Sequence, residues 1–183
     1  CKVFGCDTFG QEKQIRKHIN FIFGGEMGVY RRLSGRDNLR YFANLYLMDT
    51  AERERRINEI LELVELTDAA DRLAETYSKG MTQRLQIARG LINDPEIIFM
   101  DEPTVGLDPL GAHMLRGIIR KLRDDGKTVL LTTHYLPEAE ELCDRIVILN
   151  HGEIVARGTP EEIKGDSATL EEAYISLIKG DVQ

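Results

Sequence analysis

No stretch of the 183 residues approaches the roughly 18–20 consecutive apolar side chains that a membrane-crossing helix needs. The sequence therefore predicts a protein that meets a membrane only from its surface. Positive charge is also in short supply: 24 Lys and Arg stand against 31 Asp and Glu, a net charge of −7. A sequence-independent grip on nucleic acid needs a basic face, so nucleic acid is not an expected partner. Cysteine is limited to Cys1, Cys6 and Cys143. Their spacing fits no metal site and their number is odd, which points to a reducing compartment rather than a disulfide framework. Internal repeats, low-complexity tracts and long linkers are absent as well. The composition, 42% hydrophobic and 30% charged, suits one sizeable core with a small subdomain.

What is present is a change of rhythm along the chain. Residues 2–5 read as a short strand and 11–17 as a short charged helix, and INFIF (19–23) is an apolar strand running into the Gly24-Gly25 turn. Three helical segments follow with no strand between them. The first starts at Ser34, with Asp37 three residues on; the second opens at Thr50; the third opens at Ser78 and ends before Asp94-Pro95. Strands return at 96–100, 128–133 and 145–149, the last turning through Asn150-His151-Gly152 into EIVARG. Further helices open at Asp108-Pro109, near Pro137, at Thr159 and at Thr169. Strand–helix alternation broken by a block of helices predicts an α/β protein: a mostly parallel sheet built from residues 1–30 and 94–183, with an all-helical insertion over 31–93.

Four short stretches carry chemistry. In IIFMDEP (97–103) an apolar strand stops at two adjacent carboxylates, Asp101 and Glu102. The acids could simply open the next loop, but ligands in open α/β sheets sit just beyond the carboxyl ends of the strands. YSKGMTQR (77–84) places Ser78 and Gly80 at a helix start, where free N–H groups and the helix dipole suit a phosphate; an ordinary serine cap reads the same way. Asp108 in GLDP (106–109) caps the next helix. His134 closes VLLTTH (129–134) at the same rim as Glu102.

In the order YSKGM, IIFMDEP, GLDP and TTH, these stretches resemble the signature helix, Walker B strand, D-loop and switch histidine of the nucleotide-binding subunit of ATP-binding cassette (ABC) transporters. The resemblance covers nearly the whole chain, including RIVILNHGEIVARGTPEEI near its end. The Ser-Lys-Gly-Met form of the signature looks like the exporter branch that handles drugs, antibiotics, sodium or lipids. It implies a P-loop NTPase-like fold with ATP and Mg²⁺ as cofactors. Residues 1–30 and 94–183 would belong to the ATPase core, and 31–93 to the helical, signature-bearing subdomain. Asp101 would hold Mg²⁺ through water, Glu102 would polarise the attacking water, and His134 would contact the γ-phosphate. Ser78, Lys79, Gly80 and Met81, with Asp108, would act on ATP bound by the other subunit of a head-to-tail dimer. The implied partners are that second ATPase subunit and an integral-membrane transporter subunit. Residues 30–48 would dock the latter, which implies a cytoplasmic location on the inner face of the membrane.

Two departures stand out. The family's P-loop, G-x-x-x-x-G-K-S/T, is absent: Gly126-Lys127-Thr128 is preceded five residues upstream by Lys121 and runs from helix into strand, the reverse of a P-loop. The resemblance implies that the first core strand, the P-loop and the adenine-stacking aromatic precede Cys1, and that the chain is a C-terminal piece, inactive alone. At the Q-loop, Gly25 stands where a glutamine usually reaches the Mg²⁺ shell; Glu26 either substitutes for it or is merely solvated. An alternative is a cassette ATPase of the translation or DNA-repair type, but the chain has neither sustained heptads nor a basic balance. A degenerate regulator would be expected to lack the acid at Glu102.

Overall fold

The computed structural model describes residues 1–23 and 28–180. Two compact units divide the chain, Cys1–Thr132 and Thr133–Gln183. In the first, β1 (Lys2–Val3) and β2 (Cys6–Asp7) pair antiparallel, so the strand expected at 2–5 is one arm of a hairpin that turns through Phe4 and Gly5. Both turn residues adopt positive φ, 50° and 76°. Then come α1 (Glu12–Ile15), β3 (Ile19–Phe23), α2 (Gly35–Leu45), α3 (Thr50–Leu63), α4 (Lys79–Gly90), β4 (Ile97–Asp101), α5 (Pro109–Asp124) and β5 (Thr128–Thr132). The sheet is parallel, in the order β3-β4-β5.

Local chemistry explains where the helices start. Ser34 Oγ accepts from Asp37 N at 3.0 Å to cap α2, and Asp49 accepts from Ala51 N and Glu52 N to cap α3, which starts at Thr50 as expected. Three of these helices form one apolar interior through Leu39, Ala43, Ile57, Ile60, Leu61, Leu85, Ile87 and Ala88, all buried. The end of α4 is pressed onto the sheet: a Cβ built at Gly90 would collide with Ile22 Cγ1 and lie 2.8 Å from its Cδ1. Asn93 then ties the helix exit to β3, donating to Lys17 O at 3.2 Å and accepting from Asn20 Nδ2 at 2.8 Å.

The register sorts the sheet into two faces. Ile22, Ile98 and Met100 are buried on one of them. On the other lie Phe21, Phe99 and Leu130, aligned side by side, with the Phe21 and Phe99 rings stacked at 4.5 Å. Phe21 and Leu130 remain 44% and 51% exposed. Alternate side chains are covered, and the rest pack mainly on one another.

The second unit holds α6 (Leu136–Leu142), β6 (Ile146–Asn150), β7 (Glu153–Gly158), α7 (Pro160–Lys164) and α8 (Leu170–Gly180). Among the described residues, β6 pairs with β7 as an antiparallel hairpin rather than extending the parallel sheet. Ala139, Ile146, Ile148 and Leu170 form its buried centre. Thr159 and Glu162 exchange hydrogen bonds in a capping box that starts α7. Among the described residues, no helix is long and apolar enough to cross a membrane.

Candidate active site

Asp101 is the last residue of the central strand, aligned between Phe23 and Thr132. Its Oδ1 accepts a hydrogen bond from Thr132 Oγ1, which fixes one carboxylate oxygen and leaves the exposed group room for a hard cation. Among the described residues, no cluster of three or more His, Cys, Asp or Glu could hold a metal by itself. A single strand-end carboxylate suits Mg²⁺, which keeps several waters and takes further ligands from substrate phosphates.

At Glu102 the chain breaks sharply out of the strand. Its φ is +44°, in the left-handed region that a residue with a Cβ rarely adopts. Two backbone bonds hold the bend: Glu102 N donates to Thr132 O at 3.0 Å, and Val105 N donates to Glu102 O at 3.2 Å. Pro103 is buried behind it. Gly106 carries the loop through φ +74°, and Asp108 then caps α5, its Oδ1 accepting from Gly111 N at 2.7 Å with Pro109 in the first turn. The two acids are thus presented differently, Asp101 by strand pairing and Glu102 by a strained turn.

Ser78 caps α4, its Oγ accepting from Met81 N at 3.2 Å, which leaves the hydroxyl proton available to donate. The N–H groups of Lys79 and Gly80 have no acceptor among the described residues. A Cβ at Gly80 would meet nothing within 4 Å, so the helix start is open. Lys79 reaches across to the loop after β4, where its ammonium lies against Gly106. The structure therefore brings the start of α4 and the loop before Asp108 together.

His134 falls two residues beyond β5, which ends at Thr132 rather than at 133 as expected. It is exposed and belongs to the unit Thr133–Gln183. Gly25, with Glu26, lies outside the described residues. The Gly126-Lys127-Thr128 segment is a helix-to-strand turn: Gly126 has φ +81°, Lys127 N donates to Leu122 O, and the Lys127 ammonium pairs with Asp94 at 2.9 Å.

A second surface gathers around Arg89. Its guanidinium lies 5.1 Å from the centre of the Phe42 ring and donates to Gly28 O at 3.1 Å, and burial pushes its pKa down. Tyr30 and Tyr41 meet edge to face at 4.7 Å beside it, both more than 40% exposed.

Comparison with known proteins decides the family. The family model described as "ABC transporter" matches residues 5–105. The chain belongs to the ABC transporter family. It is 36% identical over 177 residues to the ABC transporter ATP-binding protein NatA of Bacillus subtilis, covering 97% of this chain and 72% of that protein. It is 41% identical over 163 residues to the daunorubicin/doxorubicin resistance ATP-binding protein DrrA of Streptomyces peucetius, covering 89% of this chain and 49% of the relative. Against a fluoroquinolones export ATP-binding protein of Mycobacterium tuberculosis the identity is 48% over 135 residues, 74% of this chain and 44% of the relative. The chain thus spans about half the length of most of these curated relatives. A solved structure of an ATP-binding subunit of an ABC transporter superposes with a TM-score of 0.81 at 32% identity, covering 97% of this chain and 75% of that one. The fold is the α/β, P-loop NTPase-like fold of ABC ATP-binding subunits.

Within this ABC frame, two contacts escaped the sequence. Thr132 supports Asp101 across a strand pair 31 residues apart, and only the register reveals it. The Lys79–Gly106 approach joins two motifs that the sequence shows as separate.

Proposed function

We propose that the chain carries the Walker B, signature and D-loop parts of an ATP-hydrolysing subunit that drives export by a separate integral-membrane subunit. The observation that carries this reading is the end of β4: Asp101 hydrogen-bonded in register to Thr132, followed by Glu102 at φ +44° on the rim where α/β sheets bind ligands. In this reading Asp101 holds Mg²⁺ through water, and the bound ion supplies charge neutralisation at the phosphates. Glu102 polarises the attacking water, and His134 contacts the γ-phosphate. Ser78, Gly80 and Met81 face ATP held by a second ATPase subunit, with Lys79 beside them and Asp108 across the same dimer interface. The free N–H groups at the start of α4 support that role. Residues 31–93 act as the signature subdomain, and the exposed rings of Tyr30 and Tyr41 beside Arg89 offer a surface for a cytoplasmic helix of the membrane subunit. The protein would then work from the cytoplasmic face of the membrane. The names of the relatives, which include drug-resistance and drug-export ATP-binding proteins, support the exporter reading over a translation or DNA-repair role.

Residues 1–183 contain no P-loop sequence, and on their own they are expected to show neither ATPase activity nor sub-millimolar Mg-ATP binding. The deciding experiment uses the intact subunit with its membrane partner. Glu102→Gln should retain ATP binding and nearly abolish turnover, because the amide keeps the shape and removes the base. Turnover close to that of the parent protein would refute the assignment. His134→Ala should also cut turnover severely at saturating ATP.

A further inference from the structure

Thr132 ends β5 in register with Asp101 and bonds to both acids of the neighbouring strand end. Its hydroxyl donates to Asp101 Oδ1, and its carbonyl oxygen accepts from Glu102 N at 3.0 Å. Chemistry fixes the direction of the first bond, because an ionised carboxylate only accepts. Among the described residues, Oδ2 of Asp101 has no hydrogen-bond partner. The two oxygens of one carboxylate are thereby made unequal: Oδ1 is tied to the next strand and Oδ2 is left for a ligand. Without that tie little resists rotation of the carboxylate, since the last side-chain torsion of aspartate has a broad profile. Threonine suits the task, because its branched Cβ restricts χ1 and so limits where the hydroxyl points. Both residues are exposed, so the pair closes no part of the apolar core and its consequence falls on the site.

We propose that Thr132 is a positioning residue for Mg²⁺, whose hydroxyl fixes the Asp101 carboxylate so that Oδ2 is the oxygen offered to the water shell of the ion. This rests on the ATPase reading above and deepens it, because it assigns a task to a residue outside the four motifs' acids, histidine and signature. Mg²⁺ demands near-ideal octahedral geometry and keeps several waters, so a carboxylate that reaches it through water has to be held in one orientation. Removing a hydrogen bond to a metal-binding carboxylate costs about 10–100-fold in metal affinity or activity. The contact with Glu102 is separate, since it runs through the backbone and survives replacement of the Thr132 side chain.

The test uses the intact subunit with its membrane partner, saturated with a non-hydrolysable ATP analogue. It reads the free Mg²⁺ concentration that gives half of the Mg²⁺-dependent rise in melting temperature. Thr132→Val keeps the shape, the strand preference and the backbone bond, and deletes only the donor. It should raise the half-effect concentration about tenfold. Thr132→Ser restores a donor and should stay within about twofold of the parent protein. Affinity for the analogue in EDTA, with no metal bound, should match the parent protein in both variants. An unchanged Mg²⁺ requirement in Thr132→Val would overturn the proposal. So would an equal loss of analogue affinity with and without the metal, which marks general damage to the strand end, or a serine variant as impaired as the valine one. Asp101→Asn separates the two levels of the reading. If it raises the Mg²⁺ requirement and Thr132→Val does not, only the proposal falls; if Asp101→Asn leaves the requirement unaltered, the reading of Asp101 falls and takes the proposal with it.

Discussion

The left-handed backbone at Glu102 makes a stability prediction that does not depend on turnover. Glu102→Ala and Glu102→Gly both delete the carboxylate and every contact it makes, so their difference isolates the backbone. Holding a residue with a Cβ at φ +44° costs about 1–2 kcal/mol. Glycine removes that cost but gives the unfolded chain extra freedom worth about 0.4–1 kcal/mol. Glu102→Gly should therefore be more stable than Glu102→Ala by roughly 0.5–1 kcal/mol. With a urea slope of about 2–3 kcal/mol/M, the midpoint should move up by about 0.2–0.5 M. Urea unfolding followed by circular dichroism reads this directly, provided both variants share one slope. If the alanine variant is as stable as the glycine variant or more so, the bend carries no strain, and the presentation of Glu102 needs another explanation.

Gly90→Ala tests the packing of α4 on β3. Helix propensity alone would stabilise the variant by about 1 kcal/mol, but the collision with Ile22 should reverse the sign and give a net loss of up to about 2 kcal/mol. Adding Ile22→Ala to Gly90→Ala should then cost less than Ile22→Ala costs alone; additive losses would show that the two side chains do not compete for space. Asp37 tests the acid side of stability. Its hydrogen bond from Ser34, then the Arg40 guanidinium, hold its pKa below the ordinary carboxylate value. A lowered folded pKa contributes stability that is complete above the unfolded value, about 3.9, and is lost as pH falls through the folded one. The stability gap between the parent protein and Asp37→Asn should be full at pH 7 and shrink steadily as pH falls below about 4; a gap that stays constant or widens on acidification would contradict the ionised pairing.

What the sequence made legible was local. The caps at Ser34, Ser78, Asp108 and Thr159 each need only a residue and the backbone three positions on, so short-range pattern finds them. The strand INFIF was legible because four of its five residues are apolar and β-favouring and the run ends in glycines. What stayed hidden depends on partners distant in sequence. The bond from Thr132 to Asp101 exists only once β4 and β5 are in register. The bend at Glu102 had no sequence signal, because glutamate carries no preference for positive φ and the geometry is imposed by neighbouring bonds. The opening of α3 at Thr50 was legible too, and Asp49 caps it with a carboxylate that serves two N–H groups at once.

The rings around Arg89 also give this protein an optical label of its own. There is no tryptophan, so the six tyrosines account for its near-ultraviolet emission. Four of them, Tyr30, Tyr41, Tyr46 and Tyr77, lie between β3 and β4, and the first three are 46%, 41% and 40% exposed. Intrinsic fluorescence of the unlabelled protein is thereby weighted towards the segment between β3 and β4, where Tyr30 and Tyr41 meet edge to face. Any partner that covers Tyr30 and Tyr41 must change both the intensity of that emission and its quenching by iodide or acrylamide, with no dye attached and no residue replaced.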